Sequence, residues 1–202
     1  MNKDDKFLAA SLRTDRMVNR TAQMDRIRDA IYNSDQSKVI LLEGHGGYGK
    51  SRLLEEVLWR GGNPRIRAKR PFEDATGRDL DWTTCGNAVV SDLIDMRNLT
   101  LHTQNNFMRA VADALSGYTS IYFARFDNNF NRLQRLTDQH SDYEAISDAI
   151  KKAKQAFLND YASAAKHQRI VLVLDTVEDL AKASSEWLMD EGLISSEDLS
   201  LS

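Results

Sequence analysis

The sequence predicts an α/β fold with a parallel sheet, and three observations support that prediction. A short apolar run, Lys38 to Glu43, predicts a strand that leads into a glycine cluster, and a helical pattern follows at once. A second apolar run, Ile170 to Leu174, is short and rich in valine and isoleucine, which is typical of a strand buried on both faces of a parallel sheet. Helical periodicity dominates the residues between the two runs. The expected architecture is therefore helix-rich, with three layers in the order α/β/α.

The other expected elements follow one another along the chain. Apolar spacing predicts a first helix over Thr21–Tyr32 and a second over residues 51–60, which Gly61 and Gly62 end. Residues 61–87 contain both prolines and are expected to be irregular, whereas residues 88–94 are a strand candidate. Three more helices are predicted around three sets of apolar residues: Phe107, Val111 and Leu115; Tyr122, Phe126, Phe130 and Leu133; and Tyr143, Ile146, Ile150, Phe157 and Tyr161.

Composition excludes several classes of protein. Lys and Arg total 27 and Asp and Glu total 30, so the net charge of −3 gives no general case for nucleic-acid binding. The single cysteine, Cys85, cannot form an internal disulfide, and no Cys/His cluster suggests zinc. No apolar run approaches the roughly 18 residues that cross a bilayer, and the first ten residues are too charged for a secretory signal. We therefore expect a cytoplasmic protein.

Two further clusters are expected to be structural. The basic residues Arg65, Arg67, Lys69 and Arg70 have acidic neighbours and no aromatic platform, so a solvated loop face is favoured over a nucleic-acid surface. The aromatic residues of the fourth helix have strict helical spacing, so they are expected to lie in the core.

The glycine cluster is the most informative motif. Residues 44–51 read GHGGYGKS and match the pattern G-x-x-x-x-G-K-[ST] without a departure. Glycines let a backbone wrap a phosphate, Lys50 brings a positive charge to the β and γ phosphates, and Ser51 offers a hydroxyl to Mg²⁺. The alternative is a glycine turn that precedes Lys-Ser by chance, but the apolar run before it and the helix after it favour phosphate binding. The expected nucleotide contacts are Gly44, Gly46, Gly47, Tyr48, Gly49, Lys50, Ser51 and Arg52.

A magnesium-holding acid is expected where the second apolar run ends. Asp175 follows that run directly and, with Ser51, is the candidate metal ligand; the alternative is an ordinary helix-capping aspartate. Glu178 and Asp179 follow, and Glu178 is the candidate catalytic residue that orients or deprotonates water. Both acids could equally complement the dipole of a helix.

These segments resemble the STAND-class ATPases, the signalling branch of the AAA+ group of P-loop NTPases. Residues 17–31 are similar to the V-G-R-x-x-E lead-in of that family, with Arg20 at the arginine and Asn19 where glycine is usual. Residues 89–115 resemble the second strand and helix of bacterial members, and residues 168–180 resemble their Walker B strand. The resemblance adds Arg20 to the expected nucleotide contacts.

The resemblance implies an ATP/ADP-switched module that binds protein partners or itself through further C-terminal domains. Family members place a second acid after the Walker B aspartate, where this chain has Thr176, so Glu178 would have to substitute. We therefore expect ATP and Mg²⁺ binding with slow hydrolysis. The alternatives are a non-hydrolysing ADP/ATP-binding adaptor or scaffold, and a small-molecule kinase, for which no lid arginines stand out.

The resemblance also implies a sheet order in which a further strand separates the glycine-loop strand from the Asp175 strand. After Leu180 the sequence contains no apolar run of four residues that could supply it. We therefore expect residues 1–180 to be a truncated nucleotide-binding domain from the N-terminal part of a longer ATPase. Residues 181–202 are expected to be a polar tail outside the fold.

Overall fold

The computed structural model describes residues 20–34, 36–45, 47–70 and 80–177. Its elements are α1 (Thr21–Tyr32), α2 (Lys50–Arg60), α3 (Pro64–Lys69), β1 (Ala88–Asp95), α4 (Gln104–Leu115), α5 (Ala124–Asp138), α6 (Tyr143–Ala165) and β2 (Arg169–Asp175). Short 3-10 turns cover Trp82–Thr84 and Leu99–His102. The chain is thus a mixed α/β structure, and the helices and the two strands predicted after the glycine loop are confirmed. No helix in the described ranges has the length and apolarity needed to cross a membrane.

β1 and β2 pair in parallel and form a two-stranded sheet. The register is regular at both ends but shifts in the middle, because Val90 lies opposite Val171 and Leu93 opposite Val173. β1 therefore contains one extra residue, a β-bulge. The buried Ser91 hydroxyl accepts the Val173 N–H at 3.0 Å, so a side chain supplies a hydrogen bond within the disturbed ladder.

Helices cover both faces of this sheet. On one face, Val90 and Val173 pack against Leu58 of α2, and α1 packs beside α2. On the other face, the side chains of Val89 and Ile94 join a larger core formed with α4, α5 and α6. The sheet lies between helices on two sides because the alternating side chains of both strands are apolar on both faces.

The α5–α6 hairpin forms the centre of the larger core. Phe126 packs against Phe130 and Phe157 with ring centroids 5.3 Å apart in each pair. The buried Asp160 on α6 accepts hydrogen bonds from the backbone N–H groups of Arg125 and Phe126, both at 3.0 Å. A side chain of α6 thus satisfies the first N–H groups of α5, whose own preceding residue offers no capping oxygen.

The strand predicted over Lys38–Glu43 is wrong. The segment has no regular secondary structure and pairs with neither β1 nor β2. Only Leu42 packs against the α1–α2 core, while the side chains of Ile40 and Leu41 are 44% and 56% exposed. An apolar run becomes a strand only where another strand satisfies its backbone, and the described residues provide none beside it.

The expectation of an irregular segment over residues 61–87 is wrong in part. Asn63 accepts the Ile66 N–H at 3.0 Å and Pro64 takes the first helical position, so the short helix α3 forms. Three of the four basic residues there are paired rather than simply solvated. The pairs are Arg65 with Asp92, Arg67 with Asp81, and Arg70 with Glu56.

Two burial predictions are also wrong. Tyr122 was expected in the core, but it lies before α5 and is 72% exposed. β2 is only half-buried along most of its length, with Val173 its one fully buried residue. The reason is that β2 has a single strand neighbour and therefore forms an edge of the described sheet.

Candidate functional site

The glycine loop folds back on itself before α2 begins. Gly44, Gly47 and Gly49 have φ values of 143°, 84° and 77°, a region that favours glycine. A Cβ on Gly47 or Gly49 would contact no other atom, so glycine serves the backbone conformation at these two positions rather than relieving a clash. Gly49 directly precedes the first residue of α2, so the loop ends at the positive end of that helix. Gly46 lies outside the described residues.

The side chain of Lys50 folds back onto the glycine loop. Its Nζ donates hydrogen bonds to the carbonyl oxygens of Gly44 at 2.5 Å and His45 at 3.3 Å. The ammonium group is therefore held across the curve of the backbone, at the N-terminus of α2. A positive charge and the helix dipole meet at this point, and both favour an anion.

Ser51 and Asp175 meet across the sheet end. The Ser51 hydroxyl donates to Asp175 Oδ2 at 2.9 Å, although the two residues are 124 positions apart in sequence. α2 brings Ser51 to the carboxyl end of β2, and Asp175 is the last residue of that strand. The sequence predicted these two residues as partners, and the structure places them in direct contact.

Arg20 also reaches the loop. Its guanidinium donates to the Tyr48 carbonyl oxygen at 2.9 Å, which joins the residue before α1 to the loop before α2. Tyr48 is exposed and lies edge-on to His45, with the ring centroids 5.7 Å apart. Arg52 pairs with Glu55 on the same helix at 3.0 Å. Of the predicted nucleotide contacts, Arg20 is thus placed on the loop backbone and Arg52 on the first turn of α2.

The chain leaves the sheet immediately after Asp175. Thr176 has a φ of 60°, an uncommon conformation for a β-branched residue that costs about 1–2 kcal/mol. Strain of this kind is often concentrated at functional sites. Glu178 and Asp179, the predicted water-activating acids, lie outside the described residues.

The oxygen atoms of Ser51 and Asp175 fit a magnesium ion. Mg²⁺ takes hard oxygen ligands and is commonly held by one or two protein groups together with substrate phosphates and water. A hydroxyl and a carboxylate that already lie within 2.9 Å match that requirement. Among the described residues, no group of three or more His, Cys, Asp or Glu side chains could hold a metal by itself. A metal at this position would therefore depend on phosphate oxygens for the rest of its ligands.

Asp95 is a further candidate site residue, which sequence reasoning did not single out. It is the last residue of β1, it lies opposite Asp175 in the register, and its side chain is 41% exposed. The Arg97 side chain donates to both carboxylate oxygens of Asp95, with Nε to Oδ1 at 2.9 Å. These hydrogen bonds hold the pKa of Asp95 below its ordinary value. The signal in the sequence is an acid directly after an apolar strand, the same signal that identified Asp175.

Comparison with protein-family models, with curated proteins and with solved structures found no match for this chain.

Proposed function

We propose that this chain is the nucleotide-binding module of a P-loop NTPase of the STAND type, which binds ATP or ADP with Mg²⁺ and hydrolyses ATP slowly. The observation that carries the proposal is the Ser51–Asp175 hydrogen bond. It joins the last residue of a phosphate-loop motif to the carboxylate that such a motif requires as its partner.

The other contacts of the loop support the same assignment. Lys50 and the N-terminus of α2 provide the positive charge that triphosphate oxygens need, and Arg20 fixes the loop backbone from outside. Bound Mg²⁺ would neutralise phosphate charge, and Ser51 and Asp175 would hold it. The chain's own part is to position the phosphates and to orient water.

A nucleotide-binding adaptor that does not hydrolyse ATP is the second candidate. Thr176 favours it, because this residue stands where related ATPases have an acid and its side chain cannot accept a proton from water at neutral pH. Binding is common to both candidates, whereas turnover belongs only to the first.

The decisive experiment is calorimetric titration of Mg·ATP and Mg·ADP into the purified chain. We expect saturable binding, and we expect Lys50→Ala to weaken it about tenfold to a hundredfold, because charge-assisted hydrogen bonds to phosphate contribute about 1.5–3 kcal/mol. Lys151→Ala, at an exposed position on α6, is the matched control and should bind as the wild type does.

Two outcomes decide against the proposal. Folded wild-type protein that binds neither nucleotide would refute the phosphate site. Unchanged affinity in Lys50→Ala would refute the role of the loop. Single-turnover hydrolysis of bound ATP then separates a slow ATPase from an adaptor.

A further inference from the structure

The bulge in β1 decides which side chains of that strand face α2. Val90 and Leu93 are three positions apart, yet both pack on the α2 side of the sheet. Val89 and Ile94 are five positions apart, yet both pack on the α4 side. Side chains alternate along a regular strand, so odd separations on one face require one extra residue between them. The shifted register between Val90 and Leu93 contains that residue.

As a result, Asp95 lies on the α2 face. It follows Leu93 by two positions, and Leu93 packs on that face. Without the bulge the alternation would place Asp95 on the α4 side, which is filled by apolar side chains. Bulges frequently re-aim a side chain next to an active site.

On the α2 face, Asp95 is the neighbour of Asp175. The two residues are partners in the register, and the Met96 N–H donates to the Asp175 carbonyl oxygen at 3.0 Å, which fixes the two strand ends together. Neighbouring strands lie about 4.8 Å apart. Since Asp175 accepts the Ser51 hydroxyl, Asp95 borders the position expected for the terminal phosphate of ATP.

We propose that Asp95 is a further catalytic residue, whose carboxylate accepts a hydrogen bond from the water that attacks ATP. This assignment rests on the proposed function. In the reaction, the water oxygen forms a bond to the terminal phosphorus, and the bond from that phosphorus to the bridging oxygen breaks with its electron pair passing to ADP. One proton of the water stays on the attacking oxygen, and the other passes to another oxygen of the released phosphate. Asp95 holds the water in line with the breaking phosphorus–oxygen bond. Thr176 cannot do so in the same way, because its side chain has no carboxylate.

Arg97 gives the competing explanation for Asp95. Its side chain binds both oxygens of Asp95, and its backbone N–H donates to Oδ1 at 3.1 Å, so Asp95 also organises the turn after β1. A purely structural aspartate would serve this turn alone. Asp95→Asn separates the two roles, because its one amide oxygen still accepts the Arg97 backbone N–H, whereas the second carboxylate oxygen is replaced by an NH2 group that cannot accept a hydrogen bond from water.

The test compares Asp95→Asn with two control variants after Mg·ATP binding by the wild type has been measured. We expect single-turnover hydrolysis to fall about a hundredfold, as is typical when a group that acts on the attacking water is lost, with Mg·ATP affinity within about twofold of the wild type. The second readout is binding of Mg·ADP with aluminium fluoride, which mimics the transition state and should weaken at least about tenfold. Binding of Mg·ADP with beryllium fluoride, which mimics bound ATP, should stay unchanged.

The controls are Arg97→Gln, which disrupts the ion pair but keeps Asp95, and Asp148→Asn, which removes an exposed acid that is paired with Lys152 on α6. Both should keep wild-type hydrolysis and aluminium fluoride binding.

If Arg97→Gln loses as much hydrolysis as Asp95→Asn, Asp95 serves the turn and the assignment is overturned. It is also overturned if Asp95→Asn hydrolyses ATP at the wild-type rate, or if only Glu178→Gln abolishes turnover. A wild type that binds Mg·ATP but neither hydrolyses it nor binds the aluminium fluoride complex overturns the role of Asp95 and leaves the nucleotide site standing. A wild type that binds no nucleotide overturns both.

Discussion

At the scale of single residues, the Ser51–Asp175 pair makes a prediction about magnesium. Asp175→Asn keeps an oxygen that can accept the Ser51 hydroxyl, so the fold should be retained, but it removes the charge that favours a divalent cation. We expect Mg²⁺ to strengthen ATP binding in the wild type. In the variant, the factor by which Mg²⁺ raises ATP affinity should be smaller by about tenfold or more. Titration of ATP with and without a chelator measures it.

The control for this prediction is Asp148→Asn, because Asp148 is an exposed, ion-paired aspartate on α6. Its magnesium dependence should equal that of the wild type. ATP affinity that is insensitive to Mg²⁺ in the wild type and in Asp175→Asn alike would contradict the metal role of Asp175.

At the scale of elements, α5 depends on a carboxylate that belongs to α6. The Asp160 side chain is buried and accepts two backbone N–H groups of α5. Asp160→Ala would leave the buried Phe126 N–H and the partly buried Arg125 N–H without this partner, so we expect the free energy of unfolding to fall by about 2–3 kcal/mol. Urea unfolding measures this, with Asp148→Ala as the exposed control, which should leave the free energy of unfolding nearly unchanged. A loss in Asp160→Ala no larger than in the control would mean that water replaces the cap.

How well each element could be predicted depends on how far apart in the sequence the residues that determine it lie. The helices other than α3 were predictable because their apolar periodicity is local, as in the Phe107–Leu115 stretch. The segment Lys38–Glu43 has the composition of a strand, but strand pairing depends on residues elsewhere in the chain. The face on which Asp95 lies was not predictable at all, because one extra residue in β1 reverses it and no residue type announces that bulge. Asp175 needed no such knowledge, since the motif at Ser51 already called for an acid after a strand.

At the scale of the whole molecule, stability should fall at low pH in a way that Asp81 controls in part. Burial raises the pKa of Asp81, but hydrogen bonds from Arg67 and Thr83 outweigh burial and hold this pKa below its ordinary value. A pKa that is lower in the folded than in the unfolded chain stabilises the fold above about pH 4, and that stabilisation is lost as the pH falls further. We expect the free energy of unfolding to be nearly constant from pH 7 to about 5 and to decrease below about pH 4.

Urea unfolding of the wild type and of Asp81→Asn at several pH values checks this prediction. The variant should be less stable at pH 7, because Arg67 loses its charged partner, and should lose less stability on acidification. The same acid sensitivity in both proteins would show that other carboxylates account for the whole effect.

The distance in sequence between Ser51 and Asp175, 124 residues, has a consequence for the order in which the molecule assembles. Contacts that close long loops form late in folding, because the entropy of closure is lost before the contact contributes, whereas the α5–α6 hairpin needs only local contacts. Ribosomes add about 5–20 residues per second, so the glycine loop of a nascent chain waits on the order of ten seconds for its acidic partner. During that interval the loop has its lysine and its serine but not the carboxylate, so we expect the proposed nucleotide site to be complete only once β2 has been made.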